Sequence, residues 1–176
     1  VFWGSSGTLA NNRILSNTTT TYGQGGGLYL YGGFPLLNNN LIQGNTADYA
    51  GGGAAANQSN LTFNGNIIRG NQAPRGGGLY LSSGTTTERS NVLMENVGSI
   101  YGDGLYISGG THRLTHNTFT RNLGGDGSGV YVDNSATALF SNTIIFSHTI
   151  GVKQTSGSVT LDRTLWENNT TDSAGA

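Results

Sequence analysis

The sequence predicts an all-β solenoid of about seven coils of about 25 residues each. Two repeated motifs and one alternation carry that prediction. The first motif is Asn-x-(apolar)-x-x-Asn: Asn12-Arg-Ile-Leu-Ser-Asn17, Asn40-Leu-Ile-Gln-Gly-Asn45, Asn66-Ile-Ile-Arg-Gly-Asn71, Asn91-Val-Leu-Met-Glu-Asn96 and Asn117-Thr-Phe-Thr-Arg-Asn122. Two worn copies follow, from Asn142 to Ser147 and from Arg163 to Asn168. The second motif is a glycine tract running into an apolar-Tyr-apolar triplet, as in Gly25-Gly-Gly-Leu-Tyr-Leu30 and Gly76-Gly-Gly-Leu-Tyr-Leu81. Gly51 to Ala56, Gly102 to Ile107, Gly127 to Val132 and a worn copy at Gly151 to Gln154 repeat it.

The alternation assigns strands. Leu28 and Leu30 flank Tyr29, Leu79 and Leu81 flank Tyr80, Leu105 and Ile107 flank Tyr106, and Val130 and Val132 flank Tyr131. Period two is strand behaviour, with the aliphatic residues facing in and Tyr out. A second inward set is Ile14, Ile42, Ile68, Leu93, Phe119, Ile144 and Leu165. A third is Leu9, Leu37, Phe63, Leu114, Leu139 and Leu161, weaker in the fourth coil. Three short strands and three turns fit such a coil. Nothing in the chain has helical periodicity, and residues 1–176 read as one domain.

Composition narrows the function classes. Charged residues make up 10% of the 176 and the net charge is −1, so no basic patch suited to nucleic acid is present. There is no Cys, and no apolar run approaches a membrane span. With 30 Gly against 2 Pro, glycine serves the sharp turns between faces.

Asn is placed to do structural work. Coils stack about 4.8 Å apart, so equivalent residues form columns. Asn17, Asn45, Asn71, Asn96, Asn122 and Asn168 are expected to form a ladder of amides at one turn. Its loss at Ser147 predicts a weak coil there.

These residues resemble the right-handed parallel β-helix repeat proteins. The Gly-Gly-Gly-Leu and Ile/Phe-x-x-Asn segments are similar to the paired repeats of polymorphic outer-membrane and related bacterial surface proteins. The resemblance covers nearly the whole chain. It implies a right-handed parallel β-helix and an extracellular or cell-surface location. The same fold serves adhesins, autotransporter passengers, polysaccharide lyases and viral tailspikes, so it does not choose among functions.

Candidate sites fall into four groups. The phase of the repeat sets Val1-Phe2-Trp3 on Leu28-Tyr29-Leu30 and Ala176 on the last glycine before a triplet, with no evident cap. A fragment of a longer protein has this form. So does a head-to-tail polymer, whose interface would hold Val1, Phe2, Trp3, Lys153, Trp166 and Ala176. The outward strip Tyr29, Tyr80, Tyr106 and Tyr131 suits a glycan or partner surface. Asp48, Asp103, Asp126 and Asp172 lie near the glycine turn, where turn duty competes with catalysis or a weak cation site. His112, His116 and His148 are expected to be solvated. Glu95 and Arg121 are expected to pair across coils. Asn57 and Asn60 are the better placed of five glycosylation sequons, since Asn17 and Asn168 belong to the ladder.

The reading is a structural subunit of an extracellular filament that stacks copies of itself, with no enzymatic activity, cofactor or metal. The alternative is an adhesin or passenger segment binding a surface or glycan, and a polysaccharide lyase or hydrolase stands third.

Overall fold

In the computed structural model the described residues are 1–4 and 6–175, the side chain of Phe2 excepted. Every named element is a strand and every strand pair is parallel. One sheet has thirteen strands and carries the triplet face and the face next to it; a second has seven and a third has four. The long strands Ala54–Asn64 and Leu79–Arg89 run round the corner between the first two faces.

The register follows the motifs. On the triplet face Leu28 pairs with Ala54, Ala54 with Leu79, Leu79 with Leu105, Leu105 with Val130 and Val130 with Val152. In the seven-stranded sheet Ile14, Ile42, Ile68, Leu93, Phe119, Ile145 and Trp166 form one column. On the remaining core face the column is Leu9, Leu37, Phe63, Glu88, Leu114, Phe140 and Leu161. These columns meet in one buried core. Each fully buried Leu or Ile contributes about 1.5–3 kcal/mol.

Three details differ from the sequence reading. Ile145 and Trp166, not Ile144 and Leu165, face the core; Ile144 is 38% and Leu165 57% exposed. Phe140, not Leu139, continues the third set, and the weak fourth coil holds a buried glutamate, Glu88. A fourth short strand also occurs in the early coils, at Thr18–Thr19, Thr46–Ala47, Gln72–Arg75 and Val97–Tyr101.

Two corners of each coil are turned by a residue in the left-handed region. One series is Asn11, Asn39, Gly65, Ser90, His116, Asn142 and Arg163, and the other is Ser16, Gly44, Gly70, Glu95, Arg121, Ser147 and Asn168. Asn and Gly suit that conformation, and the others are held in it by the hydrogen bonds on either side.

Candidate functional site

The residue after each left-handed corner is a ladder position, so the chain has two ladders. In the first, Asn12 donates from its backbone N–H (2.9 Å) and its Nδ2 (3.2 Å) to Asn40 Oδ1. Asn40, Asn66 and Asn91 repeat that pair of bonds toward Asn66, Asn91 and Asn117. The second runs through Asn17, Asn45, Asn71, Asn96 and Asn122 with the same geometry. The spare Nδ2 hydrogen goes to a backbone carbonyl of the preceding coil, as from Asn96 to Ile68 at 3.0 Å. Sequence reasoning foresaw the second ladder and overlooked the first, although its asparagines open the motif.

The glycine motif and the asparagine motif form one device. A Cβ built on Gly78 would lie 2.9 Å from Asn96 Nδ2, and Gly53 and Gly104 stand in the same relation to Asn71 and Asn122. The ladder amide fills the space that a side chain on the last tract glycine would need.

The ladder continues past Asn122 in altered form. Asn122 Nδ2 lies 3.1 Å from His148 Nε2, and the His148 backbone N–H donates to Asn169 Oδ1 at 3.0 Å. His148 is therefore a ladder residue and is buried, contrary to the solvated expectation, and the ladder is not lost at this coil. Asn169, not Asn168, holds the last position; Asn168 is the exposed corner residue with φ of 53°. Burial lowers the His148 pKa to about 4, opposed by the Asn169 hydrogen bond. A histidine lowered in this way contributes stability above the unfolded value of 6.5 that is lost as pH falls toward 4. His148→Asn is expected to restore the amide ladder and flatten that loss. Urea midpoints between pH 7 and pH 4 measure it; parallel curves for both proteins would contradict the assignment.

The tyrosine column is not an open strip. Tyr80, Tyr106 and Tyr131 are 8%, 6% and 6% exposed, and with Ala50 and Ala55 they form a second buried cluster. Tyr106 stacks on Tyr80 at 5.5 Å, and Tyr101 from the preceding turn folds over Tyr106 (6.5 Å) and Tyr131 (4.8 Å). Burial and the Asp133 charge raise the Tyr106 pKa. Only Tyr29 is half-exposed, at a recess of about 190 Å³ lined by Tyr22, Gln24 and Tyr29.

The four aspartates do different things. Asp48 accepts from the backbone of Tyr22 (2.9 Å) and Gly23 (2.6 Å), a turn role. Asp172 accepts from Asn169 Nδ2. Asp103 is wholly buried, and its pKa is raised to about 7 by burial first and then by the Asp126 charge. Asp126 pairs with Lys153 at 3.3 Å. Among the described residues no three His, Cys, Asp or Glu side chains converge as metal ligands. Glu95 and Arg121 do pair, at 3.1 Å. Both are half-exposed, so the pair contributes at most about 1 kcal/mol.

A buried polar chain was not legible as such. His112, expected in solvent, is 0% exposed, as is Glu88, while His116 lies at an exposed corner. His112 Nε2 donates to Gly109 O at 2.7 Å, which leaves Nδ1 of the neutral ring to accept. Thr86 Oγ1 is 2.9 Å from that Nδ1 and 3.2 Å from Glu88 Oε1. Burial raises Glu88 to about 7, opposed by Thr86, and burial lowers His112.

At the ends, backbone pairing sets Phe2 beside Leu30 and Trp3 beside Tyr31, one residue off the expected phase. Trp3 thus faces outward, 70% exposed and stacked on Tyr31 at 4.5 Å. Val1 is exposed, Trp166 is half-buried against the core, and Ala176 lies outside the described residues. Lys153 sits over the Tyr131 ring at 5.6 Å. Of the sequons, Asn60 is exposed, whereas Asn57 Nδ2 is engaged by Gln24 (2.6 Å) and Tyr29 (3.2 Å).

No helix among the described residues is long and apolar enough to cross a membrane. No curated protein and no solved structure matches the chain. A family profile described as a right-handed beta helix region matches residues 1–126. Those residues hold the first four glycine tracts and both asparagine ladders down to Asn122, and the chain belongs to the right-handed β-helix family.

Proposed function

We propose that this chain is a structural, non-enzymatic length of an extracellular fibre, extended by head-to-tail stacking of copies of itself. One observation carries the reading: the two end faces present the same core columns, cut at different coils. The first face opens on a hollow of about 460 Å³ with Leu9, Ile14 and Leu28 beside Asn12 and Asn17. The last face opens on about 240 Å³ with Val152, Val159 and Leu161. Leu9 and Leu161 belong to one column, and Leu28 and Val152 to another.

The ladder adds a direction. In the second ladder Asn17, Asn45, Asn71 and Asn96 donate forward to the Oδ1 of the next coil, so Asn17 offers Oδ1 backward. Asn169 Nδ2 is engaged by Ile145 O and Asp172 Oδ1, so a second copy placed after it would meet its backbone N–H, while strand edges pair in parallel. Asp103 lines neither end hollow nor the recess beside Tyr22, which favours a structural over a hydrolytic role.

Sedimentation over a concentration series tests the proposal. The chain is expected to form species larger than one copy, and Leu161→Lys, with a charge on the joining column, is expected to sediment as one copy. A chain that sediments as one copy throughout would sink the reading. One observation favours a second reading, adhesion through aromatic contacts. Trp3, Tyr31 and Tyr22 are accessible on the outer face of the first coils, and binding that fails on Trp3→Ala with assembly intact would select it.

A further inference from the structure

Asp103, Asp126 and Lys153 occupy three successive coils beside the covered tyrosine column. Lys153 Nζ lies 3.3 Å from Asp126 Oδ2, outside hydrogen-bond geometry. Asp126 Oδ1 accepts two hydrogen bonds, from Ser128 Oγ at 2.7 Å and from the Ser128 backbone N–H at 3.2 Å. Asp103 is 0% exposed, its Oδ1 accepts from the Gly98 N–H at 3.1 Å, and its Oδ2 is buried with no hydrogen-bond partner. Tyr131, itself covered, floors the ammonium. An amine thus stands against a carboxyl whose other oxygen is polarised by two donors, with a second, buried acid in the adjoining coil.

We propose that Lys153 and Asp126 condense in the folded chain to an isopeptide bond, with Asp103 as the proton carrier. Transfer of one ammonium proton to Asp126 Oδ2 frees the Lys153 Nζ lone pair, which attacks Asp126 Cγ; the C–N bond forms and the Cγ–Oδ2 bond breaks. An ammonium and a carboxylate become one amide N–H and one water, so atoms and charge balance with no further reactant. Asp103 gives its proton to Oδ2 as that oxygen leaves and regains one from the nitrogen. A carboxyl that burial and Asp126 raise to about 7 is suited to both transfers near neutral pH. The Ser128 donors hold the charge that develops on Oδ1. Fixed apposition and partial exclusion of water replace an encounter that is unfavourable between free groups in water.

The link would bind one coil to the next where the repeat contracts. The ladder step is 26 residues from Asn122 to His148 and 21 from His148 to Asn169. A covalent tie there holds a coil whose ladder contains a histidine in place of an amide.

Intact-mass spectrometry of the purified, folded chain, denatured only for injection, tests the proposal. The mass is expected about 18 Da below that of the sequence, one water lost. A tandem spectrum should join the peptides that contain Asp126 and Lys153. Lys153→Arg keeps the charge and is expected to show the full sequence mass, and Asp103→Asn is expected to leave most of the chain unlinked after folding. A full-mass wild-type chain means an ion pair only and overturns the proposal. A water loss that persists in Lys153→Arg overturns it too, since it would lie within the Asp126-Gly127 segment. Equal linking in Asp103→Asn would remove Asp103 from the step.

Discussion

Asn96→Ala is expected to destabilise the chain by about 4 kcal/mol or more, the largest single effect of any polar substitution considered. Asn96 sits in the middle of the second ladder and is wholly buried. Its Oδ1 accepts from the N–H and Nδ2 of Asn71, both at 3.0 Å, and its Nδ2 donates to Ile68 O and Asn122 Oδ1, both at 3.0 Å. Alanine removes all four bonds and leaves the Asn71 N–H and one Asn71 Nδ2 hydrogen without their acceptor, while Asn122 Oδ1 keeps the backbone N–H of residue 96; each orphaned group costs about 1–3 kcal/mol. The space vacated lies against Gly78, so the neighbouring backbone has no side chain with which to fill it. Equilibrium urea unfolding measures the loss. The exposed equivalent at the first coil, Asn17, should cost far less on the same change, because water reaches its partners.

The second large effect has the opposite sign. Glu88→Leu is expected to stabilise the protein by about 3 kcal/mol at pH 8, with a much smaller gain at pH 5. Glu88 stands in an apolar column between Phe63 and Leu114, and its Oε2 is buried without a hydrogen-bond partner. Its pKa is raised from 4.5 to about 7, so the stability it contributes is complete below pH 4.5 and is lost as pH rises through 7. His112 works in the other direction. Its lowered pKa gives stability above 6.5 that is lost on acidification. Thr86 keeps a partner in the variant, since its hydroxyl can donate to His112 Nδ1. Urea midpoints of both proteins from pH 5 to pH 8 should diverge with rising pH. A variant that is less stable at pH 8 would show that the buried carboxyl is held by more than Thr86.

The periodicity of the chain revealed the solenoid, its parallel columns and one ladder, because identical residues recur wherever the coil turns. Reading failed where two neighbours are both apolar. Ile144 and Ile145, Leu139 and Phe140, and Leu165 and Trp166 each offer alternation two choices of inward residue. The structure supplies the missing rule: the inward residue follows the ladder position by two, as Ile14 follows Asn12. Asn142 misled because asparagine also suits the left-handed corner that comes just before the ladder, and Asn168 misled in the same way.

Site residues were legible only as far as single strands allow. Tyr80, Tyr106 and Tyr131 do point outward from their strand, yet the turn that carries Tyr101 folds back over them. Strand alternation assigns a face and says nothing about what covers that face. An aromatic, Tyr101, just before the fourth glycine tract, in a segment one residue longer than its equivalent in the preceding coil, was the available signal. Glu88 and His112 were hidden for a related reason. A polar residue at an inward position reads as a weakened column, and only the neighbouring coil shows whether its partner is water or a second buried group.

Electron microscopy of the purified chain with an averaged power spectrum tests the proposed fibre most directly. Copies stacked in register should give filaments with a subunit rise of about 34 Å, seven coil spacings of about 4.8 Å. Isolated rods of that length, with no axial repeat at any concentration, would contradict it.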